Sequence, residues 1–135
     1  MSRSDGFFLP MDPPTVTHQT KRVTKRNGKY IFYEDDRLKQ ARDQIMAALA
    51  PHAPDEPLTG GVVLKTTWCF PVTKKKASGT PHTTRPDTDN IQKLLKDCMT
   101  THGFWEDDSQ VFIDTIIKMH SDVPGIRIDY REVET

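Results

Sequence analysis

Apolar positions along the chain change their period several times, and each change predicts an element. Residues 7–11, Phe-Phe-Leu-Pro-Met, form a short apolar run that predicts a strand, stopped by Pro13 and Pro14. Over residues 23–33 two strand-like runs flank Asn27-Gly28, the pair a type I′ hairpin turn favours, and Tyr30 to Tyr33 suit the returning strand. Residues 34–50 switch to helical spacing at Leu38, Ala41, Ile45, Ala48 and Leu49, and Pro51, Pro54 and Pro57 end the helix in a loop. Alternation returns over residues 61–70, with Val62, Leu64, Thr66, Trp68 and Phe70 on one face and Val63, Lys65, Thr67 and Cys69 on the other. Residues 87–101 predict the clearest helix. Ile91, Leu94, Leu95, Cys98 and Met99 make one apolar stripe, and Gly103 suits the position just past its end. A strand follows over residues 111–119, with Val111, Ile113, Thr115, Ile117 and Met119 on one face, and Ile126, Ile128 and Tyr130 mark a last strand.

The order β-β-β-α-β-α-β-β predicts an α+β fold, a mixed β-sheet packed with two main helices. The 135 residues fit a single domain, 1–135, large enough for a core without metal or disulfide staples. The polar loop at residues 71–85 is long for an ordinary connection, which marks it as functional or mobile.

Composition removes several classes. No apolar run approaches the ~20 residues that span a bilayer, and the N-terminal residues lack a signal-peptide core, so no membrane association and a cytoplasmic location are expected. Cys69 and Cys98 are too few for a disulfide framework, and the histidines show no zinc spacing. No pattern for an organic cofactor is seen. Net charge is 0, which argues against a nucleic-acid partner until its distribution is considered. Lys21, Arg22, Lys25, Arg26 and Lys29 crowd the hairpin, Lys74, Lys75 and Lys76 form a run, and Arg85 follows. Acid gathers at residues 34–36, at Asp87 and Asp89, and at Glu106, Asp107 and Asp108. Charge segregated in this way can take phosphate at one place and a cation at another.

Asp87 and Asp89 flank the start of the second long helix, Lys93 and Asp97 continue a polar row from Asp89, and Asp108 stands just before the next strand. Mg²⁺ or Mn²⁺ takes hard oxygen ligands from one or two carboxylates together with substrate phosphate. Two carboxylates about 5 Å apart repel by about 3 kcal/mol at an effective dielectric of about 20, so a convergent cluster implies a cation, a lysine or raised proton affinity. Convergence requires the entrance of the strand after Asp108 to lie near the start of the helix. Plain structural readings stand beside this one: Asp87 as a helix N-cap, Asp89 as complement to the helix dipole or as an ion pair with Lys93, and residues 106–108 as a solvated turn.

Two segments, Arg85-Pro86-Asp87-Thr88-Asp89-Asn90-Ile91-Gln92-Lys93 and Gly103-Phe104-Trp105-Glu106-Asp107-Asp108-Ser109-Gln110-Val111, together resemble the RusA family of Holliday junction resolvases. That family carries a D-x-D-N-x-x-K helix start and, about one helix later, a G-x-x-x-D-D-x-Q-V segment. The resemblance implies that Asp87, Asp89 and Asp108 bind Mg²⁺ or Mn²⁺ and that Lys93 is a catalytic lysine. It implies supporting roles for Asn90, Asp107 and Gln110. It further implies a homodimer of phage or prophage type that cuts symmetric strands of a four-way DNA junction. Lys74, Lys75, Lys76, Arg85, Lys25 and Arg26 are the expected phosphate contacts. Phe104 and Trp105 are expected either to stack on DNA or to be core or interface aromatics, and His82 and His102 are minor phosphate candidates. The chain departs from the family near its N-terminus, where Pro13-Pro14-Thr15-Val16-Thr17-His18-Gln19 replaces an Asn-rich segment. A non-catalytic branched-DNA-binding protein, or a nuclease for other branched DNA such as flaps, uses the same residues and is the competing reading.

Overall fold

Strand alternation and helix stripes meet on one face of a sheet. The computed structural model describes residues 3–16, 22–33 and 36–134, and for part of the hairpin the backbone alone. Its elements run β1 (Ser4–Pro10), β2 (Arg22–Arg26), β3 (Lys29–Tyr33), α1 (Asp36–Leu49), β4 (Gly61–Pro71), α2 (Thr88–Thr101), β5 (Val111–Ser121) and β6 (Gly125–Val133), in the order the hydrophobic pattern predicts. Four strands form a mixed sheet in the order β1-β6-β4-β5, with β4 and β5 parallel and the other pairs antiparallel. A parallel pair needs a crossover, and α2 supplies it. The hairpin β2–β3 is a separate two-stranded sheet, turned by Asn27 (φ 51°) and Gly28 (φ 77°) as the type I′ turn requires.

The core lies between the sheet and the two helices. Leu38, Ala41, Ile45 and Leu49 of α1 are buried, as are Ile91, Leu94, Leu95, Cys98 and Met99 of α2. Both stripes rest on Val62, Leu64, Thr66, Trp68 and Phe70 of β4 and on Ile126, Ile128 and Tyr130 of β6. α2 ends in a Schellman motif: the Gly103 N–H donates to the Thr100 carbonyl and the Phe104 N–H to the Met99 carbonyl, with Gly103 at φ 76°. The chain then turns Phe104 and Trp105 inward to 0% and 1% exposure, which removes the DNA-stacking reading of both. Phe104 meets Tyr130 edge-on, and the Trp105 indole donates to Thr100 Oγ1 at 2.7 Å.

One face assignment on β5 is corrected. Val62 pairs with Val111, but Val63 pairs with Ile113, so Phe112 is an extra residue that shifts the register. Beyond it Leu64, Thr66, Trp68 and Phe70 pair with Asp114, Ile116, Lys118 and His120, which therefore share the helix face. Ile113, Thr115 and Ile117 turn to the opposite face and are exposed. Val111 keeps its contact with the core because it precedes the bulge.

Candidate active site

The start of α2 presents two carboxylates that the fold does not use. Asp87 is the N-cap by backbone, with its carbonyl accepting from the Ile91 N–H at 3.1 Å, but its side chain makes no capping bond. The cap reading of its carboxylate therefore fails, although the position is right. Asp89 is exposed in the first turn, and its carboxylate has no hydrogen bond or ion pair among the described residues. Both sit where the helix N-terminus carries positive partial charge, which favours anionic oxygens and any cation-bridged phosphate beside them. Lys93 pairs not with Asp89 but with Asp97, Nζ to Oδ1 3.6 Å, and both side chains are more than half exposed. A pair that open is worth about 0–1 kcal/mol, so Lys93 can leave it for a phosphate at small cost. Asn90 is half-buried beside them.

Asp108 occupies a different place. It opens a short 3-10 turn, Asp108–Gln110, whose N-cap is Asp107. The Ser109 N–H donates to Asp107 Oδ1 at 2.9 Å, and that bond holds the Asp107 carboxyl below the ordinary aspartate range. Gln110 fastens the turn at both ends of its amide. Its Oε1 accepts from the N–H groups of Glu106 and Asp107 at 2.8 and 2.9 Å, and its Nε2 donates to the carbonyls of Leu58 and Gly60 at 2.8 and 3.0 Å. Asp107 and Gln110 are thus supports of the turn that presents Asp108. Gly60 itself lies tight against β6, where a Cβ would stand 2.6 Å from the Val133 carbonyl oxygen.

The structure brings Asp87 and Asp89 together and keeps Asp108 apart from them. α2 does run antiparallel to β4 and β5, but that geometry sets the entrance of β5 beside the end of α2, not its start. Gln92 touches Thr66 and Asp114, Lys96 touches Asp114, and Lys118 reaches back to Pro86. The 14 residues of α2 separate the two ends by about 20 Å at 1.5 Å per residue. Among the described residues, no group of three or more His, Cys, Asp or Glu side chains is placed to hold a metal ion. The donor set at Asp87 and Asp89, two unengaged carboxylates, fits a hard divalent cation that completes its shell with water and phosphate. Asp108 of the same chain does not fit that shell.

Sequence reasoning missed two supports of this site. One is a polar chain that runs from the core out to the surface. The Trp68 indole donates to Thr66 Oγ1 (3.0 Å), Thr66 Oγ1 to Gln92 Oε1 (2.7 Å), Gln92 Nε2 to Asp114 Oδ1 (2.6 Å) and Lys96 Nζ to Asp114 Oδ2 (3.0 Å). It pins α2 against β4 and β5 with every buried side-chain polar atom satisfied among the described residues. The other ties down the loop before α2. Residues 79–82 pair with the outer edge of β5 through Gly79 N–H to His120 O, His120 N–H to Thr80 O and His82 N–H to Lys118 O. His82 stacks on Phe70 with centroids 3.9 Å apart, and Lys118 Nζ donates to the carbonyls of Thr84 (2.8 Å) and Pro86 (2.5 Å). The signal was the alternation Asp114, Lys118, His120 along β5, polar groups on a face that also carries Ile116.

The expected phosphate contacts fall into two groups. Lys74, Lys75, Lys76 and Arg85 are exposed on the loop that leads to Asp87. Lys25 is exposed on the hairpin, 5.8 Å over the ring of Tyr30, while Lys21 and the side chains of Arg22 and Arg26 lie outside the described residues. His102 is taken by a 2.7 Å contact with the Met46 carbonyl and is structural.

A small α+β protein with a carboxylate pair at a helix start, fed by a basic loop, has the equipment of a phosphodiester-cleaving enzyme. The chain belongs to the RusA family: the family model described as Endodeoxyribonuclease RusA matches residues 11–131. It is similar to the Crossover junction endodeoxyribonuclease rusA of Lactococcus phage r1t, 33% identical over 129 residues that cover 94% of this chain and 97% of the relative. It is also similar to the Uncharacterized protein YqaN of Bacillus subtilis (strain 168), 28% identical over 129 residues that cover 87% of this chain and 90% of the relative.

Proposed function

We propose that the chain is a divalent-metal-dependent endonuclease that resolves four-way DNA junctions in the cytoplasm, acting as a homodimer. The observation that carries this reading is the pair Asp87 and Asp89, correctly placed for capping and dipole roles yet with carboxylates left unengaged. Mg²⁺ or Mn²⁺ at this pair supplies Lewis acidity and neutralises charge at a phosphodiester. The loop lysines Lys74, Lys75 and Lys76, with Arg85, Lys25 and Arg26, grip the DNA backbone. Lys93 exchanges Asp97 for the phosphate as negative charge grows on it in the transition state. Asp107 and Gln110 hold Asp108 in place.

Asp108 joins the other two carboxylates across a dimer. Along residues 112–117 no strand or loop of the described residues pairs with the outer edge of β5, and Phe112, Ile113 and Ile117 are 59%, 44% and 37% exposed there. A long, apolar, unpaired edge is a template for another strand. Two copies of β5 paired antiparallel about a two-fold axis set the entrance of one strand beside the exit of the other. Asp108 then approaches Asp87 and Asp89 of the partner subunit, and the dimer holds two equivalent sites for the two symmetric cuts.

The test is a synthetic four-way junction incubated with Mg²⁺, with Mn²⁺ and with EDTA. Paired symmetric nicks are expected with either metal and none with EDTA, and Asp89→Asn is expected to bind the junction while losing at least a hundredfold in cleavage. Binding without nicking under any divalent metal would leave only a branched-DNA-binding protein. Preference for a flap over the junction would move the substrate assignment.

A further inference from the structure

A carbonyl oxygen can only accept a hydrogen bond, and that fixes protons on the His82–His120 pair. His82 Nε2 lies 2.9 Å from the Arg85 carbonyl, and His120 Nδ1 lies 3.0 Å from the Pro71 carbonyl. Both outer nitrogens carry hydrogen when both contacts are made. The inner nitrogens, His82 Nδ1 and His120 Nε2, face each other at 3.2 Å. With both rings neutral in those tautomers, two lone pairs oppose one another. A third proton turns the contact into a hydrogen bond and gives the pair one positive charge.

A second arrangement needs only two protons. His82 Nε2 also lies 3.4 Å from Thr84 Oγ1. If His82 carries its hydrogen on Nδ1, it donates inward to His120 Nε2, and its Nε2 becomes an acceptor. The Arg85 carbonyl then repels it, and the Thr84 hydroxyl suits it.

We propose that His82 and His120 are positioning residues that control, through one proton, the hold on the segment leading into Asp87. With three protons the pair grips the Arg85 carbonyl. With two it releases that carbonyl to water and takes the Thr84 hydroxyl instead, and the third proton goes to solvent. Lys118 grips the carbonyls of Thr84 and Pro86 in both states. The charged groups facing the pair are Lys118 from β5 and Lys76 from the loop; Phe70 faces it from β4. Burial is the first cause that weakens proton binding at His82, opposed by the Arg85 carbonyl and reinforced by His120, Lys118 and Lys76. The third proton therefore leaves below the ordinary histidine range, and the Thr84 form prevails at neutral pH.

The catalytic consequence rests on the nuclease reading, but the switch itself is tested without it. Imidazole ¹⁵N NMR of the full chain between pH 5 and 8 reads the tautomer at each nitrogen. His82 Nε2 is expected to pass from protonated to unprotonated as pH rises, and the Arg85 and Asp87 amides should shift at the same midpoint. Thr84→Val, at an exposed position, removes the hydroxyl donor of the two-proton state and should raise proton affinity about threefold or more. Nε2 protonated throughout, or a midpoint unmoved by Thr84→Val, overturns the switch. With junction substrate, kcat should change at least threefold across that midpoint at constant junction affinity, and His120→Gln should erase the step. A switch seen by NMR with no step in kcat overturns the positioning role. A wild-type chain that cuts no junction fails the nuclease reading and leaves the switch to be decided by NMR.

Discussion

Replacing Gln110 with alanine cuts four hydrogen bonds at once, and the structure says what each is worth. The two from Nε2 to Leu58 O and Gly60 O are partly buried, whereas the two received by Oε1 from Glu106 and Asp107 are exposed and readily replaced by water. A typical bond contributes about 0.5–1.5 kcal/mol net. The two inner bonds therefore carry about 2 kcal/mol, with a few tenths more from the outer pair. For a chain of 135 residues that loss corresponds to a fall in Tm of roughly 7 °C. Urea unfolding followed by circular dichroism measures it, with an unchanged slope showing that the unfolded state is not altered. Gln110→Glu is the informative control, since it keeps the acceptor toward Glu106 and Asp107 but sets a charge against two carbonyls; it should cost as much as alanine or more. Junction cleavage by the folded Gln110→Ala protein should drop at least tenfold, because the turn that presents Asp108 is no longer tied to the segment that leads into β4. A stability loss under 0.5 kcal/mol would refute the claim that this amide holds the turn.

Other outcomes follow from the same physics. Ile113→Arg or Ile117→Lys on the outer edge of β5 should convert the proposed dimer to a monomer in analytical ultracentrifugation and abolish cleavage, with thermal stability kept at high ionic strength. Mixing Asp108→Asn protein with Asp87→Asn protein should restore one intact composite site per heterodimer, visible as single-strand nicking without paired cuts. Cys98 is buried and its thiol is pushed up to about 11, chiefly by burial, so alkylation at pH 8 should proceed only as fast as unfolding. Glu132 accepts from the Thr59 and Gly60 N–H groups, which hold its carboxyl below the ordinary range. Its contribution is present above the unfolded glutamate value and is lost as pH falls through the lower folded one, so Glu132→Gln should flatten the acid limb of the stability curve.

Local pattern carried most of the fold because the helices are strongly one-sided and β4 alternates without interruption from Val62 to Phe70. The hairpin turn and the glycine after α2 were legible because Asn27, Gly28 and Gly103 sit where positive φ is needed. The face of β5 was not, since one bulged residue inverts it and nothing in the composition of Phe112 announces a bulge. The acidic motif was legible as spacing, but spacing along the chain does not say which end of a helix meets which end of a strand. That is why Asp108 looked like a neighbour of Asp87 within one chain. The ties made by Gln92, Gln110 and Lys118 are long-range, and a single side chain reaching 22 to 52 residues away leaves no local trace.

The bulge at Phe112 also acts as a parity switch. Were β5 to pair with β4 in simple alternation from Val111 onward, Phe112 would fall opposite Val63 and Ile113 opposite Leu64, and every side chain beyond would change sides. Ile113 and Ile117 would turn toward the helices, while Asp114, Lys118 and His120 would move to the outer face, and the chain would lose the anchor of α2 and the hold on the loop before Asp87. Deleting Phe112 does not throw that switch, because Val63 keeps Ile113 and Leu64 keeps Asp114 as partners. A deletion variant should therefore fold with both faces of the sheet unchanged, and it is the setting aside of one residue, not its side chain, that decides which face of β5 serves the site.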